Sequence, residues 1–284
     1  MKQAILVVAF GSTVDSAREH QIDAVVNRIK EKYTDYEVRL AFSSRIIVKR
    51  LRDRGIEIPT EQGALDALIG EGYTDIYVQP LHFTGGEEFD KLKHNILNHE
   101  RAQELNTLRV GRPLVYYMGQ EEHPNDYQIL IDTFVTSISV SNEDGLLFVG
   151  HGGLGSGNSA YGYLQYQLIR SGLNHIRVAT LENAPYVADI AVPWEWLDGK
   201  KPNKIYVHPL LLVLGDHALN DLFGDEEDSV VNVLKEAGYE VEEMHHALGE
   251  YTDIQDIYCQ HIQDCIDDIY GKRSSHRPTI PNIK

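Results

Sequence analysis

The sequence predicts an α/β protein of two similar halves, each a roughly four-stranded parallel sheet flanked by helices. Three observations carry that expectation. Short, nearly continuous apolar runs recur along the 284 residues, as expected for strands buried on both faces. Amphipathic stretches of helical period separate them, the alternation that builds a parallel sheet. The second half then repeats the first: VVAFGST at 7–13 answers FVGHGGL at 148–154, and VQPLHFTGGEEFDKL at 78–92 answers VHPLLLVLGDHALNDL at 207–222. A duplicated half is the economical explanation.

Taken in order, residues 4–10 read as a buried strand and 15–32 as a helix with Val25, Val26 and Ile29 on its apolar face. Residues 37–42 form a second strand and 46–52 a short helix. A helix over 60–71 is capped by Thr60 and closes at Gly72. Residues 76–81 are the third strand, 87–103 a helix, and 107–117 contain the fourth strand. In the second half, strands are expected at 146–149, 176–181, 205–207 with an apolar extension over 210–214, and 239–244, with a helix at 160–170. Two further helices, 125–140 and 251–270, follow the fourth strand of each half. The expected domains are 1–122 and 123–270, with helix 251–270 free to pack back on the first domain and 271–284 as an irregular, Pro-containing tail.

Polar chemistry enters where apolar runs stop. Three successive strands of the second half lead into His151, Glu182 and His217. Parallel neighbours bring their carboxyl ends to one rim, the edge where ligands collect in open α/β sheets. Taken singly, such a histidine is most often an ordinary surface residue. Taken together, two imidazoles and a carboxylate suit Zn, Fe, Co or Ni better than Mg or Ca, or they form an acid/base group. The duplication fails at these positions: Phe10 stands where His151 does, Glu88 where His217 does, and Ser43-Ser44 opposite Glu182. Ser12, Thr13, Arg45 and Lys49 of the first half suit hydrogen bonding and carboxylate binding, against a plain reading as turn and surface residues.

Composition narrows the partners. A formal charge of −17 and a pI near 5.1 repel polyanions, which argues against nucleic acid and anionic membrane surfaces. No apolar run approaches the ~20 residues that span a bilayer. The opening MKQAILVVAFGST runs into a strand end rather than a cleavage site, so it reads as a first strand and the expected location is cytoplasmic. Cys259 and Cys265, six apart in a helical stretch, face different ways, which suits a reducing compartment. The acidic run 224–229, GDEEDS, reads as a solvated loop, with cation delivery as the alternative.

Several segments in combination, LVVAFGST, AFSSRIIVKRLR, QPLHFTGGEEFDK, VGHGG, TLENAP and PLLLVLGDHALND, resemble the anaerobic sirohydrochlorin cobaltochelatases, relatives of the ferrochelatases among the class II tetrapyrrole chelatases. The likeness runs over almost the whole chain, the tail excepted. It implies two similar domains with the active site in the cleft between them, and His151, Glu182 and His217 as ligands of Co2+, with Fe2+ or Ni2+ as alternative substrate metals. It implies sirohydrochlorin as the macrocycle and a place in cobalamin biosynthesis. No GxxxxGK[ST] pattern occurs, which fits a reaction without nucleotide. The substrate-contacting set of the first half is then Phe10, Gly11, Ser12, Thr13, Arg45, His82 and Glu88.

Metal insertion requires loss of two pyrrole N–H protons. His151, flanked by Gly150 and Gly152, has the open backbone surroundings that admit a flat ring. An imidazole of ordinary pKa, about 6.5, can take a pyrrole proton at neutral pH, so His151 is expected to be both ligand and proton acceptor. A metal or tetrapyrrole carrier and a metal-dependent hydrolase using the same trio are the competing classes. A homo-oligomer, with the tail as contact, is compatible with the sequence.

Overall fold

The computed structural model describes residues 2–153, 155–196 and 199–269; the expected tail 271–284 lies outside them. The chain forms two compact units, one of Met1–Leu114 with the chain from Gln255 onward, the other Val115–Ile254. The change of unit therefore falls at 114/115, where the sequence reading put it at 122/123, and the last helix is counted with the first unit.

The first unit runs β1 (Gln3–Ala9), α1 (Asp15–Ala17), α2 (Asp23–Lys32), β2 (Glu37–Phe42), α3 (Arg45–Asp53), α4 (Glu61–Gly70), β3 (Asp75–Pro80), α5 (Glu87–Leu97) and β4 (Thr107–Val110). Its four strands are all parallel, in the order β2-β1-β3-β4. The central β1 is covered on both faces: Ala4 to Val8 are fully buried, which is why they read as one apolar run. Buried Val25, Val26 and Ile29 bring α2 onto the sheet, each such side chain worth roughly 1.5–3 kcal/mol relative to exposure. Residues Arg18–Ile22 between α1 and α2 wind as a π-helical turn. Ala17 and Ile22, five residues apart, are both buried across it, a spacing that a wider turn keeps in phase. Thr60 caps α4 by accepting from the Gly63 N–H at 3.2 Å, and Ser44 caps α3 at Ile47. Helix α5 stops short of the expected 103: beyond the C-cap Asn98, the His99 N–H turns to the Ile96 carbonyl at 3.3 Å and leaves the i→i−4 ladder.

The second unit runs α6 (Asp126–Thr133), β5 (Gly145–Gly150), α7 (Ser159–Arg170), β6 (Ile176–Thr180), α8 (Val187–Ile190), β7 (Lys204–Pro209), α9 (Asp216–Phe223), α10 (Val230–Glu236) and β8 (Glu240–Glu243). Its parallel sheet has the order β6-β5-β7-β8, the same as the first. One face packs on a core of Leu147, Val149, Val207, Leu222, Val231 and Leu234 with Trp194. Two expected extents are shortened: α6 ends at Thr133 rather than 140, and β7 stops at Pro209, leaving 210–215 as a loop. His208, just past the expected strand end at 207, is a fully buried strand residue.

The last helix, α11 (Thr252–Ile266), joins the first unit through side chains distant in sequence. Arg28 grips Asp256 with two bonds, at 2.8 and 3.1 Å. Arg112 meets Asp264 at 2.8 Å with both side chains 7% exposed. Tyr33 donates to the Cys259 carbonyl at 2.7 Å, and Arg109 to that of Ile266 at 2.7 Å. Cys259 and Cys265 are buried free thiols. No described helix is long and apolar enough to cross a membrane.

Candidate active site

In the second unit, the ends of the inner strand β5 and of its edge neighbour β6 are locked together. Leu181 N–H donates to the Gly150 carbonyl at 2.9 Å and Glu182 N–H to that of His151 at 2.8 Å. These two bonds join the segments just beyond β5 and β6 and set His151 and Glu182 side by side, with His151 Nδ1 3.9 Å from Glu182 Oε2. Both side chains are largely exposed, 60% and 63%.

Glycine is required here for internal reasons. A Cβ on Gly152, whose φ is +80°, would fall 1.8 Å from the Glu182 carbonyl oxygen, and one on Gly150 would fall 2.2 Å from the Tyr161 ring. The expectation that these glycines leave open room for a flat ligand is thereby corrected. They let the two strand ends and α7 close up. Gly153, with nothing within 4 Å of its ideal Cβ, is the open one.

Two asparagines that the sequence reading passed over tie the loops to each other. Asn158 Oδ1 accepts from Gly153 N–H at 3.1 Å, while its amide donates to the Ala184 carbonyl. Asn183, at φ +63°, donates to the Gly153 carbonyl at 3.3 Å. Asparagine tolerates that left-handed conformation better than most residues. The signal was present in the Asn that follows Glu182 directly and leads into Ala184-Pro185.

The surroundings of His151 select one tautomer of its neutral ring. Its Nδ1 lies 3.1 Å from the Gly152 carbonyl oxygen, which can only accept, so Nδ1 carries the hydrogen and Nε2 carries the lone pair. That single lone pair can hold a metal ion or take a proton. Tyr161, below Gly150, is pushed up to about 12 by burial and stays a neutral phenol.

His217 occupies the first turn of α9, one residue past Asp216 and two past the N-cap Gly215, and is exposed. It lies beyond β7, which flanks β5 on the side opposite β6. Among the described residues, no three His, Cys, Asp or Glu side chains are gathered into a metal-holding group. The structure brings together His151 and Glu182. The acidic run 224–229 forms the turn into α10, capped by Ser229, with residues 225–228 exposed and the Asn232 amide on the Glu226 carbonyl at 2.8 Å.

The rim of the first sheet carries the other expected residues. Phe10 follows β1 and is 49% exposed. Gly11 has φ +108° and no room for a Cβ, which would stand 2.6 Å from the Phe42 ring. Ser12 is buried and its hydroxyl accepts from Val14 N–H at 3.1 Å, a turn-forming bond. Thr13, half-buried, lends its carbonyl to Arg54. Arg45 opens α3 and bonds Gln62 at 3.0 Å, with Lys49 exposed one turn on. Glu88 is exposed in the first turn of α5. His82, just past β3, has both ring nitrogens buried without a hydrogen-bond partner, and burial pushes it down to about 4. It is therefore a neutral imidazole.

The chain is similar to known proteins over nearly its whole length. The family model described as cobalt chelatase (CbiK) matches residues 3–267. A sirohydrochlorin cobaltochelatase of Salmonella typhimurium is 30% identical, the match covering 94% of this chain and 97% of that protein. Sirohydrochlorin cobaltochelatase CbiKC of Nitratidesulfovibrio vulgaris is 26% identical over 92% of this chain and 89% of its own. Among solved structures, SirB from Bacillus subtilis with Fe3+ superposes with a TM-score of 0.64 at 16% identity, covering 96% of this chain and 98% of that one. CbiX, described as the terminal enzyme of siroheme biosynthesis in denitrifying bacteria, gives 0.53 at 17% identity, covering 92% and 98%. These two share the fold. By the match of the family model to residues 3–267, the chain belongs to the CbiK cobalt chelatase family.

Proposed function

We propose that the protein inserts Co2+ into sirohydrochlorin, without nucleotide hydrolysis, as a step of cobalamin biosynthesis in the cytoplasm. Family membership and two relatives named for that activity support the reaction. The observation that carries the site is the His151–Glu182 pair, in which Nδ1–H is committed to the Gly152 carbonyl and Nε2 is left for chemistry. Cobalt is held by His151, Glu182 and His217, and their exposure leaves His217 free to reach an ion resting on the other two.

One lone pair cannot bind metal and accept a proton at once. The two roles of His151 therefore follow one another: it first ligates cobalt, then takes one pyrrole proton as the ion passes to the macrocycle nitrogens, the second pyrrole proton going to water. Glu182, as an anion beside the ring, stabilises the imidazolium so formed. Arg45 and Lys49 grip the carboxylates of the macrocycle. Phe10, Gly11, Ser12, Thr13, His82 and Glu88 complete the macrocycle-contacting set, Phe10 offering an exposed aromatic face.

The test is absorption-monitored metal insertion with purified protein, sirohydrochlorin and cobalt, without ATP, in parallel with iron and nickel. Catalytic conversion of the macrocycle spectrum with cobalt is expected. A spectrum that changes only in proportion to protein would point to a carrier instead. Faster insertion of iron or nickel would reassign the metal.

A further inference from the structure

His208 is the one histidine on β7 and it is fully buried. Its Nδ1 lies 2.8 Å from the Pro209 carbonyl oxygen and its Nε2 lies 2.8 Å from the Tyr251 hydroxyl. The carbonyl can only accept, so Nδ1 donates, Nε2 accepts, and the tyrosine O–H must be the second donor. Phe148, Phe134 and Tyr251 surround the ring, with centroids at 5.4, 5.8 and 5.6 Å. Burial holds His208 down to about 4 and pushes Tyr251 up to about 12, which keeps both neutral and the chain of bonds intact.

What this bond chain touches is the segment that leads to His217. Pro209 ends β7, residues 210–215 form the loop, and α9 begins at Asp216. The same loop is stitched to the turn bearing Tyr251, since Leu248 and Gly249 N–H groups donate to the Leu211 and Leu212 carbonyls at 2.8 and 3.0 Å. Glu250 closes that turn by accepting from the Ala247 N–H at 3.0 Å. The first unit has a counterpart. Gln79, which stands in β3 where His208 stands in β7, donates from Nε2 to the carbonyl of the proline that follows it, Pro80, at 2.9 Å. The duplicated halves keep the bond to the proline carbonyl with different side chains. Only the second adds a tyrosine behind it.

We propose that the His208–Tyr251 pair is a positioning device that fixes the 210–215 loop and so sets where His217 presents its ring to the metal. The pair touches neither metal nor macrocycle; it acts through the loop. The inference rests on the reading of His217 as a cobalt ligand.

The experiment compares Tyr251→Phe, His208→Leu, His208→Gln and His217→Ala by three readouts. These are cobalt titration of the protein without macrocycle, amide hydrogen exchange of residues 210–215, and the urea midpoint. Tyr251→Phe and His208→Leu are expected to weaken cobalt binding about tenfold, the scale on which supporting residues act on a metal site, and to speed exchange in the loop. His208→Gln can donate to Pro209 as Gln79 does to Pro80 and accept from Tyr251, so it should keep both readouts within about twofold of the wild type. Should His208→Leu not fold, Tyr251→Phe removes a single oxygen and still decides the matter. A lowered urea midpoint in Tyr251→Phe with unchanged cobalt affinity and unchanged exchange would overturn the proposal. So would a His208→Gln protein that behaves like His208→Leu. If His217→Ala binds cobalt normally, the ligand reading fails, and loop exchange in Tyr251→Phe alone then decides whether the pair holds the loop.

Discussion

The backbone N–H of Glu182 donates to the carbonyl of His151 at 2.8 Å, and in the first unit Ser44 donates to Phe10 in the same way at 3.2 Å. The two rims are thus one backbone arrangement carrying two sets of side chains. On one, His and Glu meet; on the other, an exposed phenylalanine stands beside a serine that caps α3. Swapping side chains on one backbone arrangement is sufficient to make the two edges chemically different.

The trio is expected to divide its work. His151→Ala should reduce turnover by about 10²–10⁴-fold, the usual worth of a proton acceptor, while macrocycle binding stays largely intact. His217→Ala should mainly weaken metal binding and be partly rescued by excess cobalt. Steady-state insertion across cobalt concentrations measures both, and near-normal turnover in His151→Ala would remove that residue from the mechanism.

Two neighbouring glycines should respond oppositely to a methyl group. Gly152→Ala drives a Cβ into the Glu182 carbonyl at a positive φ, so a loss of at least about 2–3 kcal/mol is expected. Gly153→Ala meets nothing within 4 Å and should stay within about 0.5 kcal/mol of the wild type. Urea titration of both variants tests the pair, and equal effects would contradict the close approach of the two loops.

Arg45→Ala should raise the sirohydrochlorin KM about tenfold or more, the worth of one hydrogen bond to a charged group, with a smaller fall in kcat. That pattern marks binding shared by ground and transition states. An unchanged KM would take Arg45 out of the macrocycle site.

Stability should fall on mild acidification. His82 and His208 are held by burial down to about 4 from 6.5, so below pH 6.5 the unfolded chain binds protons that the folded one refuses. The loss begins near pH 6.5, grows as pH falls, and levels off near pH 4, amounting to roughly 3 kcal/mol for each ring. His208→Gln should flatten part of that slope in urea midpoints taken across the window. An unaltered slope would mean that His208 is protonated in the fold.

Much of this architecture was legible because strands covered on both faces spell themselves out as apolar runs. Ala4 to Ala9 and Leu146 to Val149 are such cases, buried residue after residue. His151 and Glu182 stood out because each breaks a run at the sheet edge. His208 breaks a run too, but inside the strand, and its role depends on Tyr251, forty-three residues away. The attachment of α11 has no local signature at all. Arg28 with Asp256 and Arg112 with Asp264 are ordinary charges in sequence and become partners only through the fold. The end of α5 was misplaced because its closing turn, where the His99 N–H meets the Ile96 carbonyl, has no glycine or proline to mark it.

That same helix has a consequence for how the chain comes into being. The first unit takes Met1–Leu114 and then the chain from Gln255 onward, so the second unit is spliced into the first. A ribosome releases β1 to β4 complete, yet Tyr33, Arg28 and Arg112 must wait for their partners on α11. At roughly 5–20 residues per second, residues 115–254 take about 7–28 s to make. During that interval the second unit has all of its strands and can close, while the first holds an unfilled groove where α11 belongs. The half made first is thus the half finished last.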